Sequence, residues 1–136
     1  QIPLWIYAPK LIAPREDAQL ASQIDLAPTL LGLLNLSYTS TFFGRDLLRD
    51  NQLPPRVLIG NYQHLGLFDG KDLAILSPRG GMRVHQDALG NSREMSADSD
   101  NPLIRRAIAY YQSAANDFSK GLLAWKPQEE GAVAEQ

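Results

Sequence analysis

The sequence predicts an α+β fragment: one apolar strand, a short helix near 25–35, a three-stranded antiparallel meander near 56–87 and a long C-terminal helix near 102–123. Three observations lead there. Ile2 to Ala8 is an apolar run with almost no polar partner. Two later segments repeat apolar residues at the helical period. Between them, short Val-, Leu-, Ile- and Tyr-rich stretches are punctuated by turn dipeptides.

A run such as Ile2 to Ala8 suits a strand buried on both faces, which belongs inside a sheet. The next segment, Pro9 to Leu20, is a charged, proline-punctuated loop that supplies no strand to pair with it. The chain also opens on this segment without Met, so an upstream stretch carrying the neighbouring strands is expected.

From Asp25, Ala27, Leu30, Leu31 and Leu34 fall at i, i+3, i+4 and i+7, one apolar stripe of a helix. Asp25 is its expected N-cap. Pro28 then sits inside the first turn, where its missing N–H costs little. Asn35 is the expected stop, Ser37 to Thr41 a loop, and Phe42-Phe43-Gly44-Arg45-Asp46-Leu47-Leu48 an aromatic anchor and short turn.

Past Pro54-Pro55 the period changes. Arg56 to His64 and Leu65 to Phe68 read as strand, Asp69-Gly70 as a hairpin turn, Leu73 to Leu76 as strand, Pro78-Arg79-Gly80-Gly81 as a second turn and Met82 to Gln86 as the last strand of the meander. Gly90 to Asp100 is a polar loop. Asn101-Pro102 pairs an N-cap with proline at the first helical position. Ile104, Ala107, Ile108, Tyr111, Ala115, Phe118 and Leu122 then hold one helical face to about Leu123. Residues 1–125 form one expected unit, and 126–136 a flexible tail.

At 136 residues, 44% hydrophobic and 21% charged, the chain has the composition of one globular unit. A net charge of −2 gives no footprint for nucleic acid. No run approaches the ~18 apolar residues of a membrane span, and the first residues lack the pattern of a signal peptide. The absence of cysteine excludes disulfides, thiolate metal sites and cysteine nucleophiles.

His64 and His85 are the only imidazoles, on separate expected strands and without an H-x-H or H-x-x-x-H partner; a solvated or hydrogen-bonded structural role outweighs a shared metal. Asp69, Asp72 and Asp87 are explained by turn geometry before any carboxylate cluster. Arg45 and Asp46 read as a surface ion pair ahead of an anion contact. Pro78 to Gly81 lacks the Gly-Lys-Ser/Thr ending and the helix of a phosphate-binding loop. Ser22-Gln23-Ile24-Asp25 fits a capping box, with no histidine nearby to activate the serine. No catalytic, cofactor-binding or metal-ligating residue is assigned.

Three segments together resemble a known family: Ile2-Pro3-Leu4-Trp5-Ile6-Tyr7-Ala8-Pro9, then Asp25-Leu26-Ala27-Pro28-Thr29-Leu30-Leu31, then Phe43-Gly44-Arg45-Asp46-Leu47. Their order and spacing over residues 1 to about 48 are similar to the C-terminal stretch of sulfatases in the alkaline phosphatase superfamily, and most closely to the lipoteichoic-acid synthase and periplasmic phosphoglycerol transferase relatives. The resemblance implies an α/β parent enzyme that uses one or two divalent metals (Mn, Mg, Ca or Zn) and a Thr or formylglycine nucleophile on phosphate or sulfate esters. The family's metal ligands and nucleophile precede the Pro-ended strand, so none is carried onto this chain, and the fragment alone is expected to be inactive.

The same resemblance implies a periplasmic or extracellular location at the bacterial inner membrane, a membrane-anchored parent and an upstream catalytic part of the same polypeptide as partner. On that reading the segment is mostly scaffold, with the meander bordering the substrate cleft. A homodimer through the unpaired first strand is a further expectation. The alternative is a self-standing binding module presenting Tyr62, His64 and Phe68 to a ligand or partner.

Overall fold

The structure is a computed structural model that describes residues 3–41, 43–49 and 53–124. Five short strands form one antiparallel meander: β1 (Val57–Gly60), β2 (Leu65–Phe68), β3 (Leu73–Leu76), β4 (Met82–Gln86) and β5 (Arg93–Ser96), each paired with its neighbour in sequence. Two helices accompany them, α1 (Leu26–Leu33) and α2 (Pro102–Ser119). The expected α+β class holds, but the meander has five strands instead of three.

Both extra strands have a physical reason. Arg56 to Phe68 is broken by a tight turn in which Asn61 Oδ1 accepts from the N–H groups of Gln63 (2.9 Å) and His64 (2.7 Å), so one expected strand becomes β1 and β2. The expected polar loop contains β5, whose four residues are all exposed and which is held by its ladder to β4. A strand with no buried face carries no alternating pattern.

The Asp69-Gly70 turn forms as expected, with Gly70 at φ 104 and Asp69 Oδ1 accepting from Lys71 and Asp72 N–H. Asp72 then accepts from Asp87 N–H, and Asp87 from Asn91 N–H, tying two hairpins together. These three aspartates serve turns. Pro78–Gly80 is a tight turn between β3 and β4 in which Arg79 (φ 60) and Gly80 (φ 79) both take left-handed backbone.

The register puts Leu58, Leu67, Ala74 and Val84 in one row on one face of the sheet. α2 covers that row with Leu103, Ile104 and Ala107, and together these make the core. Asn101 Oδ1 caps α2 by accepting from Leu103 and Ile104 N–H, with Pro102 at the first helical position. The helix stops at Ser119, four residues before the expected end. Gly121 takes φ 65, its N–H donates to Phe118 O and Leu122 N–H donates to Asp117 O, a Schellman closure. Beyond Tyr111, whose hydroxyl still reaches Ile59 O and Gly66 O, the helix leaves the core, and Phe118, expected on the buried face, is 78% exposed.

α1 begins after Asp25 and closes at Asn35 (φ 53), where Asn35 N–H donates to Gly32 O and Leu36 N–H to Leu31 O. Its buried residues are Pro28 and Thr29, whereas Leu30 and Leu34 of the expected inward stripe are exposed, Leu34 by 61%. Among the described residues the expected first strand is absent too. Residues 3–8 pair with no strand, and Trp5 and Tyr7 are 89% and 92% exposed. β1 and β5 are the edge strands of the described sheet, and this segment is paired with neither. Ile2, Phe42 and the expected tail 126–136 lie outside the described residues. Among the described residues no helix is long and apolar enough to cross a membrane.

Candidate functional site

The sheet face away from the α2 core carries the row Ile59, Gly66, Ile75 and Arg83, and beside it Phe68, Leu73 and His85. Gly66 is the one position in the first row without a side chain. A Cβ there would meet Leu73 Cδ1 and two carbonyl oxygens at 3.4 Å, ordinary contact distance, so its absence leaves a depression. That depression is the floor of an open groove of about 310 Å³, with Ile59, Leu73 and Ile75 around it and His64, Arg83 and His85 at its rim.

The rim is wired together. His64 Nδ1 lies 3.0 Å from Ser77 Oγ, which also receives an Arg83 amino group at 3.5 Å. Arg83 donates to Glu94 at 3.2 Å, and the other Glu94 oxygen lies 3.4 Å from His85 Nε2. His85 Nδ1 is 3.3 Å from Ser92 Oγ. Both histidines are therefore anchored, as a structural role requires.

They do not meet. His64 lies level with Ser77 and His85 with Leu73, about 13 Å apart along the strand direction and two strand spacings of about 4.8 Å across. A shared metal needs both ring nitrogens within about 2.1 Å of the ion. Among the described residues no three His, Asp or Glu side chains gather for a metal, and no carboxylate reaches the second nitrogen of His64 to complete a triad with Ser77. Of the expected trio, Tyr62 is fully exposed beside His64, but Phe68 is buried.

The Asp25 and Phe43-to-Leu47 motifs form a different structure, a buried interlock. Asp25 stands at the N-cap position of α1, yet its carboxylate makes no cap bond to that helix. It accepts from Ser22 N–H (2.9 Å), Arg45 N–H (2.9 Å) and two amino groups of Arg56 (3.0 and 3.3 Å). Arg56 also donates to Phe43 O at 2.6 Å and to the Tyr110 hydroxyl at 3.2 Å, joining α1, the 43–49 segment and α2. Burial works against its charge, but the bonds and field of Asp25 overcome that cost and hold the guanidinium above its ordinary range.

The remaining motif residues fit around this pair. Thr29 Oγ1 donates to Asp25 O and accepts from Leu47 N–H. The backbone of Gly44 lies against Ile24 O, and a Cβ there would overlap that carbonyl. The Asp46 carboxylate occupies the space a Cβ on Gly32 would need.

Arg45 corrects the expectation of a surface pair with Asp46. It is 8% exposed and donates to Pro54 O at 2.9 Å, with its Nε and second amino group buried and without a partner among the described residues. Asp46 faces Arg49 at 3.6 Å instead. Arg56 was not singled out in the sequence. Its one local mark is a lone cation between Pro55 and an apolar strand, and nothing in the sequence points from there to Asp25.

No protein-family model matches the sequence, and no curated protein does. Among solved structures, the chain is similar to a crystal structure of a protein in the alkaline phosphatase superfamily from Vibrio parahaemolyticus, with a TM-score of 0.72 and 25% identity. The match covers 85% of this chain and 28% of that one, so the chain spans a little over a quarter of the neighbour's length. The α+β arrangement thus corresponds to part of an alkaline-phosphatase-like fold.

Proposed function

We propose that the chain is the C-terminal scaffold part of a sulfatase-like hydrolase or phosphoglycerol transferase that acts on phosphate or sulfate esters at the periplasmic or extracellular face of the membrane. The observation that carries this reading is the structural likeness, extending over 85% of the chain, to a protein more than three times as long. The motifs behind the sequence resemblance support it, because Asp25, Thr29, Gly44 and Asp46 each occupy a place in one buried interlock. Such an interlock constrains residue types without requiring any of them to be catalytic.

The partner in this reading is an upstream catalytic part of the same polypeptide. α1 has no charged residue, and a helix apolar on all sides is normally buried; its exposed Leu26, Leu30 and Leu34, with Trp5 and Tyr7, supply a surface for that part to cover. The chemistry, with its Mn, Mg, Ca or Zn ion and its nucleophile, is assigned to that upstream part, since the described residues of this chain assemble no metal site.

Expression of this chain and of the longer polypeptide that includes the upstream reading frame tests the proposal. Each is assayed with p-nitrophenyl phosphate, p-nitrophenyl sulfate and phosphatidylglycerol in the presence of each divalent ion. Turnover by the longer polypeptide alone is expected. Metal-dependent turnover by the isolated chain, or none by either, overturns the reading.

A further inference from the structure

The groove over Gly66 has no part in the reading above, and its chemistry points to a ligand. Its volume of about 310 Å³ falls at the small end of small-molecule sites. Its floor is aliphatic, and Gly66 leaves room there for an apolar group to lie against Ile59 and Ile75. Among the described residues no aspartate or glutamate lines it, although the chain carries 15 acidic residues and a net charge of −2. The ionisable lining residues are Arg83, His64 and His85, all of them cationic when charged.

Glu94 stands behind this rim, where it fixes the Arg83 guanidinium at 3.2 Å and the His85 ring at 3.4 Å. Arg83 has five N–H donors. It uses one amino group on Glu94 and the other on Ser77, so the remaining donors can take an acceptor in the groove without breaking either contact.

We propose that this groove binds a small organic anion, with an alkyl or aryl body on the Ile59–Gly66–Ile75 floor and a phosphate, sulfate or carboxylate head on Arg83 between the two histidines. Body and head are both required, because the floor offers apolar contact and Arg83 at the rim is a donor-only cation.

The test is a two-dimensional NMR titration of the ¹⁵N-labelled chain with n-butyl phosphate, n-butyl sulfate, butanoate, inorganic phosphate and 1-butanol. Saturable shifts at Gly66 and at both histidine rings are expected with at least one organic anion, and the ranking of the three heads identifies the preferred one. Inorganic phosphate and 1-butanol should each bind at least tenfold more weakly. Arg83→Gln, at a half-exposed site, should weaken binding at least fivefold with an unchanged melting temperature, and Gly66→Ala, which fills the floor, should do the same. The proposal is overturned if none of the organic anions gives saturable shifts, if inorganic phosphate or 1-butanol binds as tightly as the best of them, or if Arg83→Gln binds as tightly as the parent. Ester turnover enters none of these outcomes, so binding can fail while the enzyme reading stands, and the reverse.

Discussion

Arg56 and Asp25, 31 positions apart, meet edge to edge through bonds of 3.0 and 3.3 Å with neither side chain exposed to solvent. Removing one partner of such a pair leaves a buried charge and typically costs 3–5 kcal/mol. Arg56→Met should therefore lower unfolding stability by about that amount, a large share of the ~5–15 kcal/mol available to a small domain. Arg56→Lys should not rescue it, since one ammonium cannot serve Asp25, Phe43 O and Tyr110 together. Asp25→Leu combined with Arg56→Met should cost less than the sum of the single changes. Urea denaturation of the four variants checks all of these outcomes.

Gly44→Ala should destabilise by roughly 1–3 kcal/mol or more, because the new methyl meets the Ile24 carbonyl and backbone must move. Gly32→Ala should cost less, as the group it meets is the Asp46 side chain, which can swing. Gly60→Ala is the control, with its nearest neighbour at 3.8 Å. Melting temperatures should fall in the order Gly60→Ala, Gly32→Ala, Gly44→Ala, from highest to lowest.

Tyr111 places its hydroxyl 3.0 Å from Ile59 O and 2.8 Å from Gly66 O, and burial raises its pKa above the ordinary tyrosine value of about 10. The folded state thus holds this proton more tightly than the unfolded chain. Its contribution is fully present below pH ~10 and is lost as pH rises through the folded value. Tyr111→Phe should cost about 1 kcal/mol at neutral pH and almost nothing in strong alkali. Stability measured from pH 8 to 11.5 for both proteins should show the two curves converging.

Asn101→Ala removes the acceptor for two N–H groups at the start of α2 and should cost about 1 kcal/mol. Asn101→Asp should restore most of that. Thermal unfolding followed by circular dichroism at 222 nm distinguishes them.

Legibility in the sequence followed the range of each signal. Asn101-Pro102, Asn35 and Asp69-Gly70 act within a few residues, and each marks the boundary it was expected to mark. β5 was not legible because Arg93 to Ser96 face solvent on both sides and are held by backbone bonds that leave no trace in side-chain type. The stripe on α1 read as core, since hydrophobicity reports a demand for burial without saying which surface meets it; among the described residues Leu31 is half-buried and Ala27, Leu30 and Leu34 stay exposed. Arg56 was hidden for a third reason, a partner 31 residues upstream. The groove depends on a glycine and on register across four strands, which become visible only once the strands are paired.

All five strands join their sequence neighbours, so no long loop must close before the sheet can assemble. Low contact order of this kind favours rapid folding. Among the described residues the apolar core cluster lies between β1 and α2, whereas the module around α1 is tied to that stretch through Arg56, which bonds both Asp25 and Phe43 O. Folding should accordingly be hierarchical: a fast nucleus in the stretch from β1 through α2, and late annealing of the N-terminal module onto a scaffold already formed. Amides in that module should exchange with solvent through partial opening, at free energies well below the global value.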